Sequence, residues 1–349
     1  MEKNMQLPKI YASQVKKQTI DMSLSINPLG CSPVVLKMLR NISAAEISSY
    51  PKQSVLIKSI CQKFSVQQSA VILGNGSEQL IKLICQTFLN PQDSVLTEKG
   101  SFPLFSKEAL LANARVCFFD GNGRFQCKQG TRLLFLANPK TPTGEALNND
   151  EIRDLIARCK PEISVIDETN GEFLGESFST VATKTTNVIV LRTFSKVFGL
   201  AGLRVAFAIG AKSIIARLKE TQQPFPVSEV AVQAGVAAIN DKQFVTNTIQ
   251  FFKKERQFLT KELQQRGFRV SKSMTNNLFI CTSQASVIIT ELKKLDVAVI
   301  DGKFFPKNPL TGFRISIKDR RTNKLFLEKL DTAMACVKGK NLLPSKEVL

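Results

Sequence analysis

The chain has no histidine and no tryptophan among its 349 residues, and only two tyrosines. Without imidazole there is no His-based triad, no His-ligated metal and no imidazole general base. Proton transfer must fall to Lys, Asp, Glu, Tyr or a bound cofactor. Phe supplies nearly all the aromatic content, 24 residues, so the Trp and Tyr platforms on which single-stranded nucleic acids stack are not evident. The eight cysteines (Cys31, Cys61, Cys85, Cys117, Cys127, Cys159, Cys281 and Cys336) are scattered, with no C-x-x-C pair. They read as small buried hydrophobes in a reducing compartment, with no metal site indicated. No uncharged stretch approaches a membrane span, and the opening MEKNMQLP has no run of signal-peptide character. The expectation is a cytoplasmic protein that engages neither membrane nor nucleic acid.

What is present is the balance of a globular chain, 43% apolar and 22% charged. Lys and Arg outnumber Asp and Glu by 48 to 29, a net charge of +19. The basic residues are dispersed rather than massed in one arm, which suits solubility and the attraction of anionic small molecules.

Residues 1–20 read as a loosely held arm. Asn27-Pro28-Leu29-Gly30 is turn chemistry, and Ser32-Pro33 offers an N-cap and a proline at the first helical position of a helix through about Leu39. A helix covers roughly 52–64. Ala70 to Leu73 then runs as a strand into Gly74-Asn75-Gly76-Ser77-Glu78, where a helix start opens a cradle of N–H groups suited to phosphate. From 94 to 210 strands and helices alternate: strands at 94–97, 115–119, 133–137, 163–166 and 188–191, helices near 103–114 and 148–159. Continuous apolar strands in this rhythm predict a mainly parallel sheet covered by helices on both faces. From 211 the pattern is first helical (211–222, 227–240, 241–266). Strands at 278–281, 297–300 and 313–317 and helices near 285–294 and 320–336 then make a smaller α+β unit.

Ligands of parallel sheets gather at the carboxyl ends of the strands. Three such ends carry an amide, a carboxylate and an amine: Asn138 in Asn138-Pro139-Lys140-Thr141-Pro142-Thr143-Gly144, Asp167 in Ile166-Asp167-Glu168, and Lys196. Lys196 lies between two apolar runs, Val188 to Leu191 and Leu203 to Ile209, the second holding Arg204 near its start. Partial desolvation there lowers an ammonium's pKa and makes a Schiff-base nucleophile of it.

Together, Asn-Pro-x-x-Pro-Thr-Gly, Asp-Glu and Ser-x-Lys followed eight residues later by Arg resemble the class I/II aminotransferases, pyridoxal-phosphate (PLP) enzymes of fold type I. The likeness runs from about 20 to 335 and is to the branch holding histidinol-phosphate aminotransferase and threonine-phosphate decarboxylase. It implies the α/β fold of PLP-dependent transferases, with a large PLP-binding domain (52–240) and a small domain (21–51 and 241–349). Lys196 would hold PLP as a Schiff base and shuttle a proton at the α-carbon. Asp167 would pair with the pyridine nitrogen, Asn138 would bond the ring oxygen and Phe102 would stack on the ring. The phosphate would sit on Gly76, Ser77 and Glu78 with help from Thr193, Ser195 and Arg204. The resemblance also implies that Tyr50 reaches the phosphate of a neighbouring subunit, hence a homodimer with shared active sites. Arg314 would clamp the substrate carboxylate, and Asn27 would join it at the substrate. Asn170 stands where the family commonly has Tyr or Phe.

Within the branch the motifs divide. Ile26 to Gly30 and Gln223 to Ser228 resemble the threonine-phosphate decarboxylases, whereas Thr193 to Lys196 and Gly199 to Arg204 are closer to the histidinol-phosphate aminotransferases. The expectation is an aminotransferase acting on a small anionic or phosphorylated amino acid or amine. The alternatives are α-decarboxylation and a PLP-binding homologue without turnover.

Overall fold

The structure is a computed structural model that describes residues 20–120 and 130–341. The expected arm lies outside the described residues except for Ile20, and so does Cys127. The strands in chain order are β1 (Ile20–Asp21), β2 (Val71–Asn75), β3 (Ser94–Glu98), β4 (Arg115–Phe119), β5 (Thr131–Ala137), β6 (Ile163–Asp167) and β7 (Val188–Thr193). They are followed by β8 (Val205–Gly210), β9 (Arg269–Val270), β10 (Asn277–Cys281), β11 (Val297–Ala298), β12 (Ile300–Asp301) and β13 (Gly312–Ser316). A seven-stranded sheet has the order β2-β8-β7-β6-β5-β3-β4. It is parallel from β7 to β4, while β8 runs antiparallel to both its neighbours. A four-stranded sheet, β12-β13-β10-β9, is antiparallel.

Alternation along each strand of the large sheet feeds two faces. In β7, Ile189 and Leu191 pack under helices Gly76–Phe88, Pro103–Leu111 and Lys212–Thr221, while Val188 and Val190 pack under helix Asn149–Cys159 and Phe178. In β8, Ala206 and Ala208 join the first face, and Val205, Phe207 and Ile209 meet helices Pro33–Arg40, Gln53–Phe64 and Glu229–Asn240. A separate core joins the small sheet to helices Lys242–Gln265, Ala285–Lys294 and Arg320–Asn341. Met22 lies in this second core, whereas Val35 lies in the core of the large sheet.

Several local expectations need correction. Residues 297–300 do not make one strand: β11 pairs with β1 and β12 pairs with β13. The second apolar run starts at Val205, because Ala201–Leu203 is a 3₁₀ turn and Arg204 has a left-handed φ of 51°. Of the described cysteines only Cys85 and Cys159 are buried, and Cys336 is exposed; none is in a disulfide.

Candidate active site

Strands β7, β6 and β5 are neighbours, so Thr193, Asp167 and Asn138 arrive at adjacent carboxyl ends. Beyond them opens a cavity of about 400 Å³, walled on the far side by Arg314 of β13 and by Ser23–Ile26. Lys196 enters it from the β7–β8 connection. That connection is held by Phe194 N–H donating to Val205 O (3.0 Å) and Leu200 N–H donating to Phe194 O (2.9 Å), with Phe194, Phe198 and Leu200 buried beneath. Gly199 has φ +73°, and a Cβ there would strike the Gly30 carbonyl, so only glycine lets the connection press on the Asn27–Gly30 turn.

Lys196 Nζ donates to Ser25 O at 3.2 Å. Burial, reinforced by the nearby charge of Arg314, pulls its pKa down to about 8, against the opposing pull of Asp167. Asp167 is 6% exposed, and burial pushes its pKa up to about 6, although its Oδ1 accepts the Thr169 N–H at 2.9 Å. A desolvated amine and a desolvated carboxylate therefore face one cavity.

The anion cradle is built from three elements. Helix Gly76–Phe88 starts without a side-chain cap, leaving its first N–H groups turned to the cavity end. Arg204 lies against Gly76 (φ +74°), where a Cβ would run into the guanidinium; its Nη2 meets Glu78 Oε2 at 3.4 Å and its Nη1 donates to Ala201 O at 3.2 Å. Thr193 and Ser195 share a 3.0 Å hydroxyl contact, and both line the cavity together with Ser77. Phe102 lines it too, edge-on to Phe105 at 5.8 Å.

The structure does not bring every expected residue to the cavity. The Asn138 amide is turned to Leu147, donating to its O at 3.0 Å and accepting from its N at 2.8 Å, and does not line the cavity. Thr141, three residues on in the same loop, lines the cavity. Asn27 likewise bonds backbone, donating to Val197 O at 2.9 Å and accepting from Leu29 N at 3.0 Å, and does not line the cavity. These bonds pin the N-terminal segment to the Lys196 connection. Tyr50 is 78% exposed, stacked on Phe225 at 4.7 Å, and lies outside this chain's own cavity. Asn170 lines the cavity, and its Oδ1 is buried without a partner. Arg314 donates from Nη2 to Ser23 O at 2.7 Å, its Nε is buried without a partner, and burial lowers its pKa to about 10.

The sequence profile described as aminotransferase class I and II matches residues 17–330. The chain belongs to this family. A histidinol-phosphate aminotransferase of Clostridium botulinum (strain Okra / Type B1) is 28% identical over 339 residues, 93% of this chain and 94% of the relative. Among solved structures, the histidinol-phosphate aminotransferase of Sinorhizobium meliloti in complex with pyridoxal-5'-phosphate superposes with a TM-score of 0.82 at 20% identity, covering 91% of each chain. The L-threonine-O-3-phosphate decarboxylase of Porphyromonas gingivalis gives 0.79 at 21% identity, covering 90% of this chain and 99% of that one. The fold is therefore that of the fold type I aminotransferases. Sequence reasoning on this aminotransferase passed over Ser23–Ile26, Thr141 and Asn277, all of which line the cavity. The loop of Thr141 was legible as a turn, but which of its polar side chains faces inward depends on backbone direction. Ser23–Ile26 carries no sequence signal of its role.

Proposed function

We propose that this aminotransferase uses pyridoxal phosphate to move the amino group of a small anionic or phosphorylated amino acid or amine, through Lys196. One observation carries the reading: Lys196, its amine pKa lowered, shares a single cavity with buried Asp167 and with Arg314 and Arg204. The residues fit the cofactor. Asn170 Oδ1 and Arg314 Nε are buried polar atoms lacking partners, and Gly76 leaves the space that Arg204 needs beside the helix end. Asp167 would hold the pyridine nitrogen, Phe102 would lie on the ring, and Thr141 and Asn170 would face the ring oxygen. Ser77, Thr193, Ser195, Arg204 and the N–H groups of Gly76–Glu78 would hold the phosphate.

Bound there, pyridoxal phosphate supplies an aldehyde for the substrate amine and an electron sink for the bond broken at the α-carbon. The protein does the rest. Lys196, neutral in part near pH 8, accepts and returns a proton at Nζ. Arg314 fixes the substrate carboxylate, so that one bond of the α-carbon is aligned for cleavage. The excess of positive charge and the names of the histidinol-phosphate relatives support a phosphorylated substrate. The exposed ring of Tyr50 supports a homodimer in which it enters the partner's site, and the scattered cysteines outside any disulfide fit the cytoplasm.

Single-turnover reaction of the loaded protein with amino acids and O-phospho amino acids tests the reading. Accumulation of pyridoxamine phosphate is expected; release of carbon dioxide in its place would assign decarboxylation.

A further inference from the structure

Three consecutive carbonyls of the segment Ser23–Ser25 are each held by a cationic side chain. Arg314 Nη2 donates to Ser23 O at 2.7 Å, Lys318 Nζ to Leu24 O at 2.8 Å, and Lys196 Nζ to Ser25 O at 3.2 Å. Arg314, Ser316 and Lys318 alternate along β13 and its continuation, so they present one face to the segment. Between the two cations Ser316 Oγ approaches Ser23 O at 3.3 Å and Ser25 Oγ at 3.0 Å. Lys318 is 6% exposed; Asp21 and Asp319 lie near enough to favour its charge, but among the described residues its hydrogen bond from Nζ is to the Leu24 carbonyl.

Both ends of the segment are fixed. Met22 is fully buried and bonded to Ala298 O (2.9 Å) and from Ser316 N (2.7 Å), and Asn27 is tied to Val197 O. Ser23 is buried, but the side chains of Leu24 and Ile26 are 39% and 45% exposed at the cavity wall and add little packing. The N–H side of the segment is turned onto Asp21 Oδ1, which accepts from Ser23 N (2.8 Å), Ser23 Oγ (2.6 Å) and Leu24 N (3.2 Å). Its carbonyl side is held by the three cations, with Asn276 Nδ2 also reaching Ser25 O at 3.4 Å. One of those cations, Arg314, has its Nη2 taken by Ser23 while its Nε has no partner. A carboxylate binding an arginine through two parallel N–H groups requires the fork to be open.

We propose that Ser23–Ile26 is a strap that competes with the substrate carboxylate for Arg314, and that Lys318 is the positioning residue that holds it there. The inference rests on the assignment of Arg314 to the substrate carboxylate. Binding of a carboxylate moves the Ser23 carbonyl off Arg314 and fills the fork, and departure of the product lets the strap return. The strap thus keeps the buried cations partnered between turnovers and discriminates against ligands that bind too weakly to displace it.

Titration of the PLP-saturated protein with maleate, a dicarboxylate without an amine, followed by calorimetry and amide hydrogen exchange, tests this. Maleate should speed exchange at residues 23–26. Lys318→Met should bind maleate more tightly, on the order of tenfold, for the loss of one charge-assisted hydrogen bond from the competing state, and Lys318→Arg should match the parent. Loss of a nearby positive charge alone would weaken an anion's binding, so tightening reports release of the strap. Ser316→Ala, a milder change, should tighten binding to a smaller degree. Exchange unaltered by bound maleate, equal or weaker binding to both Lys318→Met and Ser316→Ala, or no maleate binding overturns the proposal. The visible absorption of the same samples reads the function separately. A colourless protein whose strap responds fails the cofactor assignment and keeps the strap, and a yellow protein whose strap does not respond does the reverse.

Discussion

Asp167 shows how the site trades stability for chemistry. Its pKa rises from 3.8 to about 6 through burial, so the native state retains a proton at pH values where the unfolded chain has lost it. Its contribution to stability is therefore full below pH 3.8 and is lost as pH rises through 6. Above that, the ionised carboxylate is a burden on the cofactor-free fold. Asp167→Asn should stabilise the cofactor-free protein at pH 7.5 by about 3 kcal/mol and lose that advantage by pH 3.5. Urea unfolding at the two pH values measures this; equal midpoints for the two proteins at pH 7.5 would refute it. The same change should weaken PLP retention, since Asn cannot supply the negative charge. At this scale Lys196 and Asp167 were legible as charged residues at the ends of apolar strands, whereas Arg314 and the phosphate role of Arg204 were named only by the family resemblance. Asn138 and Asn27 bond Leu147 and Val197 and do not line the cavity, a placement the sequence does not show, because a polar residue at a strand end or turn serves the backbone as readily as a ligand.

The element that fixes Asp167 and Asn170 is the turn after β6, and it is clamped from below. Arg192 of β7 bonds Glu168 Oε2 at 2.7 Å and Glu172 Oε1 at 2.6 Å, with all three side chains at most 4% exposed. Glu168 also accepts from Phe178 N at 2.6 Å and Ser177 Oγ at 2.6 Å. Arg192→Met would leave two buried carboxylates without their cation, at a cost of about 3–5 kcal/mol. Urea unfolding should show a large midpoint loss, with Glu172→Gln much milder; a loss under about 1 kcal/mol for Arg192→Met would show that the turn does not depend on the clamp. Arg192 gave no sequence signal of burial, since it looks like a solvated strand end. The parallel strands were legible as continuous apolar runs. The reversed direction of β8 was not, because the Lys196 connection between β7 and β8 has no hairpin signature.

At the scale of the molecule, exposed Tyr50, Ile47, Val34 and Phe225 (78%, 62%, 51% and 49% exposed) leave apolar surface uncovered in the single chain. A homodimer that lends Tyr50 to its partner's site would cover part of it. Mixing Tyr50→Ala with Lys196→Ala subunits should then restore roughly a quarter of the parent activity, because half the dimers formed at random contain one intact site. No recovery after confirmed subunit exchange would place Tyr50 outside the shared site. Charge and composition forecast a globular chain with an anionic ligand, but the interface and the strap depend on three-dimensional juxtaposition alone. The most direct test of the whole account is to load the purified protein with PLP, reduce it with borohydride and map the labelled peptide by mass spectrometry. The account predicts a yellow protein with a single pyridoxyl label on Lys196, absent from Lys196→Ala. A label on another lysine, or none, would contradict it.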